Sequence, residues 1–353
     1  MPKPVSIKDI ARAAGVSHPT VSRALAGSPL VAPATRERIQ RIARELGYTP
    51  SAIARGLVSR RTASIGLVVT TIADPFIAEV AQGVEQTALD HGYSVILCNC
   101  NAEPERELAC VRSLHEKRVD GIIVTSSRVG SLYVDLLAEL GVPIVLINNQ
   151  HAGRYVYSIR TDDLTGGRLV GEYLAGLGHR RIAYIAGPAS AYSSAERLQG
   201  CRVALRERGL DVPAEWVVPG NGNPDGGGAG VARLLAGTTR PSAIFCYNDM
   251  TAFGALSALK AAGLRVPADM SLIGYDDIAF ARLVDPPLTT VAQAKFTLGQ
   301  QALETMLRLL HGHAEGTTRG DVVLTPALVV RATCGPPPAR WEPGATSHPG
   351  GRS

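Results

Sequence analysis

The apolar positions change their period along the chain. In the first 48 residues they recur at helical spacing. Ile7, Ile10, Ala11 and Ala14 fall on one face, Val21, Ala24 and Leu25 on another, and Ile39, Ile42, Ala43 and Leu46 on a third. From residue 63 the pattern becomes short apolar runs separated by amphipathic stretches. The runs are 65–69, 93–98, 121–125, 143–148, 181–187, 242–247 and 271–277, with "YSIRT" at 157–161 as a further one. The helical stretches between them span 76–91, 104–117, 163–177, 194–209, 248–262 and 295–311. Apolar runs alternating with amphipathic helices predict parallel strands covered on both faces. Two such sheets, split near residue 161, predict a two-lobed α/β body behind a small helical head.

Punctuation sharpens the head. Ser6 is placed to cap the first helix, with Asp9 as a first-turn acid, and Gly15 ends it. The next stretch, "GVSHPTVSRAL", carries a proline at its start. In a first turn the missing N–H costs little and the fixed φ suits a helix, so Pro19 opens a helix. It stands at N2 if Ser17 caps and at N1 if His18 does. The bias of proline against an α-helical predecessor favours His18. A third helix begins at Pro33 and closes at Gly47. Two short helices joined by a glycine-containing turn, with a third packed on them, predict a helix-turn-helix.

Charge changes this picture from a fold to a partner. Residues 1–62 hold eleven Lys and Arg against three acids, while the remainder holds 25 bases and 28 acids. A basic head on a near-neutral body points to a polyanion for the head alone. In the first turn of the second helix, His18 can donate to or accept from a base edge, whereas Pro19 offers only apolar contact, as to a thymine methyl. Arg23 suits guanine or phosphate. Thr20 and Ser22 suit phosphate oxygens, and Ser17 sits at the cap beside them.

Other classes of function find no support in the residues. The six cysteines are scattered, none in C-x-x-C, and read as reduced thiols rather than metal ligands. "GNGNPDG" and "GLGHRR" lack the third glycine of a dinucleotide fingerprint. There is no P-loop, no H-E-x-x-H and no evident nucleophile–base pair, so neither an enzyme nor a cofactor is expected. No apolar run reaches the ~18–20 residues of a membrane span. The N-terminus has no signal-peptide pattern, so a cytoplasmic protein is expected rather than a periplasmic sugar-binding module.

The motifs "GVS..TVSRAL", "TRERI", "LGYTP" and "A.ARGL", in that order, resemble the head of the LacI/GalR family of bacterial transcription repressors. The resemblance extends over nearly all of 63–333, which is similar to the family's periplasmic-binding-protein-like effector domain. It implies that the second helix enters the DNA major groove and that 50–58, "PSAIARGLV", is a hinge helix that folds on the operator. There Leu57 would wedge into the minor groove, with Ala54 beside it. The implied organisation is a head at 1–48, hinge and linker at 49–62, a first lobe at 63–161 plus 291–320, a second lobe at 162–290 plus 321–333, and a disordered tail at 334–353. A homodimer is expected, because two heads must meet two half-sites of a palindromic operator.

Ligands of open α/β sheets sit at the carboxyl ends of strands. The residues following the runs are therefore the candidates for effector binding: Phe76, Asp162, Arg197, Asn248 and Asp276. Carboxylates accept, arginine donates and amides do both, a mixture that suits the vicinal hydroxyls of a sugar. A nucleobase or nucleoside acting as co-repressor is the alternative. The family often carries an aromatic in a stretch like 217–227, where this chain has Asn221 and Gly222. Tyr192 and Phe280 are candidates for a replacement wall. The effector is expected to reorient the first lobes of the dimer and so form or melt the hinge helices.

Overall fold

The computed structural model describes residues 5–48, 61–127, 140–149, 157–312 and 320–338. Ala54, Leu57 and the hinge expectation lie outside the described residues. The chain divides into two units, 1–62 and 63–353.

In the first unit, three helices enclose a small core: α1 (Ile7–Ala14), α2 (His18–Leu25) and α3 (Pro33–Glu45). Ile10, Val21, Ala24, Val31 and Ile39 fill it. The α1 start is held reciprocally, with the Ser6 N–H donating to Asp9 Oδ2 at 3.0 Å. Gly15 ends α1 at φ 62°, a backbone region that costs a glycine nothing. Ser17, not His18, caps α2. Its backbone is extended, its hydroxyl accepts from the Thr20 N–H at 3.4 Å, and its carbonyl accepts from Thr20 and Val21. Those bonds outweigh the bias of Pro19 on its predecessor, so Pro19 stands at N2. Arg36 donates to the carbonyls of Ser28 and Val31 and so holds the turn before α3.

The second unit contains two six-stranded sheets. The first is built from β1 (Ser64–Val69), β2 (Ser94–Asn99), β3 (Gly121–Thr125), β4 (Ile144–Ile147), β5 (Tyr157–Thr161) and a late strand, β11 (Gly320–Leu324), in the order β11-β5-β4-β3-β1-β2, parallel throughout. The second is built from β6 (Ile182–Ile185), β7 (Val217–Val218), β8 (Ala243–Cys246), β9 (Ser271–Asp276), β10 (Thr289–Ala292) and β12 (Ala327–Val329), in the order β12-β10-β9-β8-β6-β7. Only β12 runs antiparallel, against β10. The central strands are buried on both faces, as their unbroken apolar runs require.

Helices α4 (Pro75–Asp90), α5 (Pro104–Glu116) and α10 (Lys295–Leu310) cover the first sheet. Helices α6 (Asp163–Gly176), α7 (Tyr192–Arg206), α8 (Pro224–Ala236) and α9 (Asp249–Ala261) cover the second. The glycine-rich α8 is not among the helices the periodicity predicts. Its glycines face close neighbours: a Cβ at Gly227 would come within 2.0 Å of the Thr251 carbonyl oxygen, and one at Gly230 within 2.8 Å of Ile185. Poor intrinsic propensity is thus offset by backbone approach to α9 and β6.

Three expectations about the C-terminal third are corrected. The return to the first lobe follows Ala292 rather than residue 290, because β10 pairs with β9. The run 321–333 does not all join the second lobe. β11 extends the first sheet at the free edge of β5, and only β12 joins the second, with Thr325 and Pro326 between them. Proline cannot donate to a ladder, so the run breaks there. The tail is also ordered at its start. Gly335 accepts from the His179 ring at 2.9 Å and from Ser271 Oγ at 3.0 Å, and Cys334 Sγ donates to the Leu272 carbonyl. The chain therefore passes between the lobes three times, at 161–163, 292–295 and 324–327.

Candidate functional site

In the head, His18, Pro19 and Arg23 are exposed on α2, while Thr20 and Ser22 are half-buried. Ser17 spends its hydroxyl on the helix start, 2.8 Å from Thr20 Oγ1. Burial of Val21 and Ala24 fixes which way α2 faces, and it leaves the side chains expected to reach bases in solvent.

In the body, a cavity of about 550 Å³ lies between the lobes, at the carboxyl ends of both sheets. Four of the five candidates line it: Phe76, Arg197, Asn248 and Asp276. Asp162 does not. It caps α6, accepting from the Thr165 N–H at 3.0 Å and the Thr165 hydroxyl at 2.7 Å, and its neighbour Asp163 faces the cavity instead. Tyr192 and Phe280 are exposed elsewhere and are not walls. The second aromatic is Tyr247, the residue that ends the run 242–247. Reading the whole run as strand hid it, although the carboxyl-end rule covers its position.

Arg197 is the centre of the second-lobe wall. Its guanidinium is buried, donates from Nε to Asp163 Oδ1 at 2.8 Å and from Nη1 to the Tyr247 carbonyl at 2.6 Å. Its plane lies 3.7 Å from the Tyr275 ring centre and 4.7 Å from that of Tyr247. A cation so enclosed is held in one geometry. Asn248 caps α9 through Thr251 while its Nδ2 donates to the Gly222 carbonyl at 3.0 Å. Gly222 has φ +81°, and a Cβ there would stand 3.5 Å from the Tyr247 ring. An aromatic at this position would meet both a left-handed backbone and Tyr247, so the amides of Asn221 and Asn223 form this part of the rim.

Gln293 lies on the second crossover, where the sequence pattern carries no signal, and it lines the cavity. Its Nε2 donates to Asp276 Oδ1 at 2.6 Å. Its Oε1 accepts from Thr161 Oγ1 at 2.6 Å and from Asn148 Nδ2 at 3.3 Å. One amide thus joins the end of β9 to the ends of β4 and β5. Beside it, Lys295 Nζ donates to the carbonyls of Asp276 and Asp277 and lies 3.5 Å from Glu79 on α4.

Burial drives the Asp276 carboxyl well above the usual range, against the opposing pull of Arg197. Burial likewise raises Asp74, against its hydrogen bond from the Phe76 amide. Asp249, under the cavity, is pushed up to about 7 by burial, although Thr290 and the Ile278 N–H donate to it. Its pKa is raised in the fold, so the native state holds a proton that the unfolded chain has lost. Stability from this group falls as pH rises from about 4 to about 7. Melting curves at pH 5 and pH 8 should therefore show a larger loss for the wild type than for Asp249→Asn. An equal loss in both would remove Asp249 as the cause.

A family model described as "Bacterial regulatory proteins, lacI family" matches residues 6–51, and a "Periplasmic binding protein-like domain" matches 172–334. The HTH-type transcriptional repressor PurR of Haemophilus influenzae (strain PittEE) is 38% identical over 329 residues, covering 92% of this chain and 97% of that protein. The chain belongs to the lacI family of bacterial regulatory proteins. Among solved structures, a lac repressor dimer bound to operator and the anti-inducer ONPF is 31% identical, with a TM-score of 0.86 over 94% of this chain and 100% of that one. A complex of the transcriptional regulator CelR with cellobiose is 33% identical, with a TM-score of 0.72 over 93% of this chain and 99% of that one. As a lacI-family member the chain is a transcriptional regulator, with a DNA-binding head and an effector-binding body. Among the described residues, no helix is long and apolar enough to cross a membrane.

Proposed function

We propose that this lacI-family regulator is a cytoplasmic repressor that binds a palindromic operator as a homodimer and is controlled by a sugar or sugar derivative held between its lobes. The observation that carries the sugar reading is the cavity lining. Asn101, Asn148, Asn221, Asn248, Asp276 and Gln293 converge on a space with Phe76 on one side. Amides and carboxylates match the paired donors and acceptors of vicinal hydroxyls, and an aromatic face suits the C–H face of a pyranose or furanose ring. The cellobiose complex of the similar CelR supports the same class.

On the DNA side, exposed His18, Pro19 and Arg23 form the base-reading edge, with Thr20 and Ser22 on phosphates. Binding to a selected palindromic duplex should exceed binding to random DNA, and it should weaken steeply with salt, with a log–log slope of about −0.9 per neutralised phosphate. Pro19→Gln should leave the head folded and change base preference at one step of each half-site. An unchanged preference would reduce Pro19 to a helix starter. A thermal-shift screen of sugars and nucleobases tests the effector class. Stabilisation by sugars supports this reading, and stabilisation by nucleobases alone overturns it in favour of the co-repressor alternative.

A further inference from the structure

We propose that the cleft takes an uncharged effector, the unphosphorylated sugar, and rejects the corresponding phosphate ester. This rests on the sugar reading above and adds the charge of the ligand. A phosphoryl group is bound by Arg or Lys donors or by the N–H groups of a helix start. The described lining carries three carboxylates, Asp74, Asp163 and Asp276, against one guanidinium, Arg197. The charge of that guanidinium is already balanced by a buried carboxylate: Asp163 accepts from its Nε at 2.8 Å, the Tyr247 carbonyl takes one Nη1 hydrogen, and two tyrosine rings flank it. Lys295 does not add a cation to the lining. Its ammonium is turned to the Asp276 and Asp277 carbonyls and to Glu79.

The feature that favours an anion is the pair of helix starts at the rim. The cap positions of α7 and α8 are Ala191 and Asn223, neither makes a side-chain cap hydrogen bond, and both residues line the cavity. Each helix start offers roughly half a positive charge, whereas a phosphate ester brings about −1.5 to −2. The other starts facing the cleft are already occupied, α4 by Asp74 and α9 by Asn248. Burial also drives Asp74 and Asp276 toward their neutral forms, so this environment resists the negative charge it already holds. Uncharged hydroxyls bring no net charge into this lining and meet no such penalty.

The test uses the full-length protein and two kinds of titration. Inorganic phosphate is titrated first, on the wild type and on Asp74→Asn, which keeps an acceptor for the Phe76 amide while removing one charge. No saturable thermal shift, or a shift indifferent to Asp74→Asn and hence located elsewhere, supports the proposal. A saturable wild-type shift that tightens in Asp74→Asn marks phosphate in the cleft and overturns it. Calorimetric titration of matched pairs follows: ribose with ribose 5-phosphate, glucose with glucose 6-phosphate, and inosine with inosine 5′-monophosphate. The expected result is that an uncharged member binds and its ester is at least 100-fold weaker, with the gap narrowing at least fivefold in Asp74→Asn. An ester equal to or tighter than its parent overturns the inference while leaving a sugar-class effector standing. Binding by inosine alone, with its monophosphate rejected, overturns the sugar reading and keeps the charge rule.

Discussion

Arg197→Ala should abolish the thermal response to effector and lower the stability of the body by about 3–5 kcal/mol, the usual cost of breaking a buried ion pair by removing one partner. Both effects have one origin. Asp163 is left buried without its 2.8 Å partner, the Tyr247 carbonyl loses its donor, and the two rings lose the cation between them. A loss of that size corresponds to a fall in melting temperature of roughly 10 °C for a body of this length. Operator binding measured well below the transition should persist, because the head is a separate unit with its own core. Arg197→Lys separates charge from geometry. It keeps a cation near Asp163 but cannot hold a flat face to Tyr275 while donating to two acceptors. Calorimetry on both variants checks the argument, and effector affinity within threefold of wild type in either would take Arg197 out of the site.

The second large effect concerns communication rather than binding. Gln293→Met, close in volume and unable to form the three hydrogen bonds, should leave operator affinity nearly unchanged and weaken effector binding only modestly. It should, however, reduce the change in operator affinity that the effector produces. Coupling in such systems is about 1–3 kcal/mol, or 5–150-fold, and the variant should fall toward the bottom of that range or below it. The reason is placement. The Gln293 amide is the direct side-chain link from Asp276, on the ligand-facing end of β9, to Thr161 and Asn148 at the ends of first-lobe strands. A ligand that pulls on Asp276 therefore pulls on β4 and β5 through one planar group. Operator titrations with and without saturating effector measure the coupling factor. A factor equal to that of the wild type would show that the backbone crossovers carry the signal without Gln293.

Much of the site was legible from strand ends. Phe76, Arg197, Asn248 and Asp276 follow apolar runs, and all four line the cleft. The same rule is accurate only to about one residue, because it says where a strand stops and not which of the next side chains turns inward. Asp162 and Asp163 show the limit. The first is consumed as the α6 cap, and the second, the first residue of that helix, faces the cavity. Tyr247 shows the converse: the apolar run counts it as strand, yet it follows β8 and lines the cavity. The proline in "GVSHPTVSRAL" was likewise legible as a helix start, but the choice between Ser17 and His18 as cap needed the hydrogen bonds.

The sequence by itself determined the helix-turn-helix head, the alternating α/β body, the basic character confined to the first 62 residues and the region of the cleft. Periodicity, capping residues and charge are local properties, and the contacts that express them lie within a few residues of each other in the chain. Only the tertiary structure decided that β11 extends the first sheet while β12 joins the second, that α8 can be a glycine-rich helix, and that Gln293 bridges the lobes. Each depends on a partner far away in sequence: the free edge of β5, the carbonyls of α9, the strand ends that meet at the crossovers. Which of two adjacent aspartates faces the cavity and which caps the helix is settled by packing, and packing is written in no single stretch of the chain.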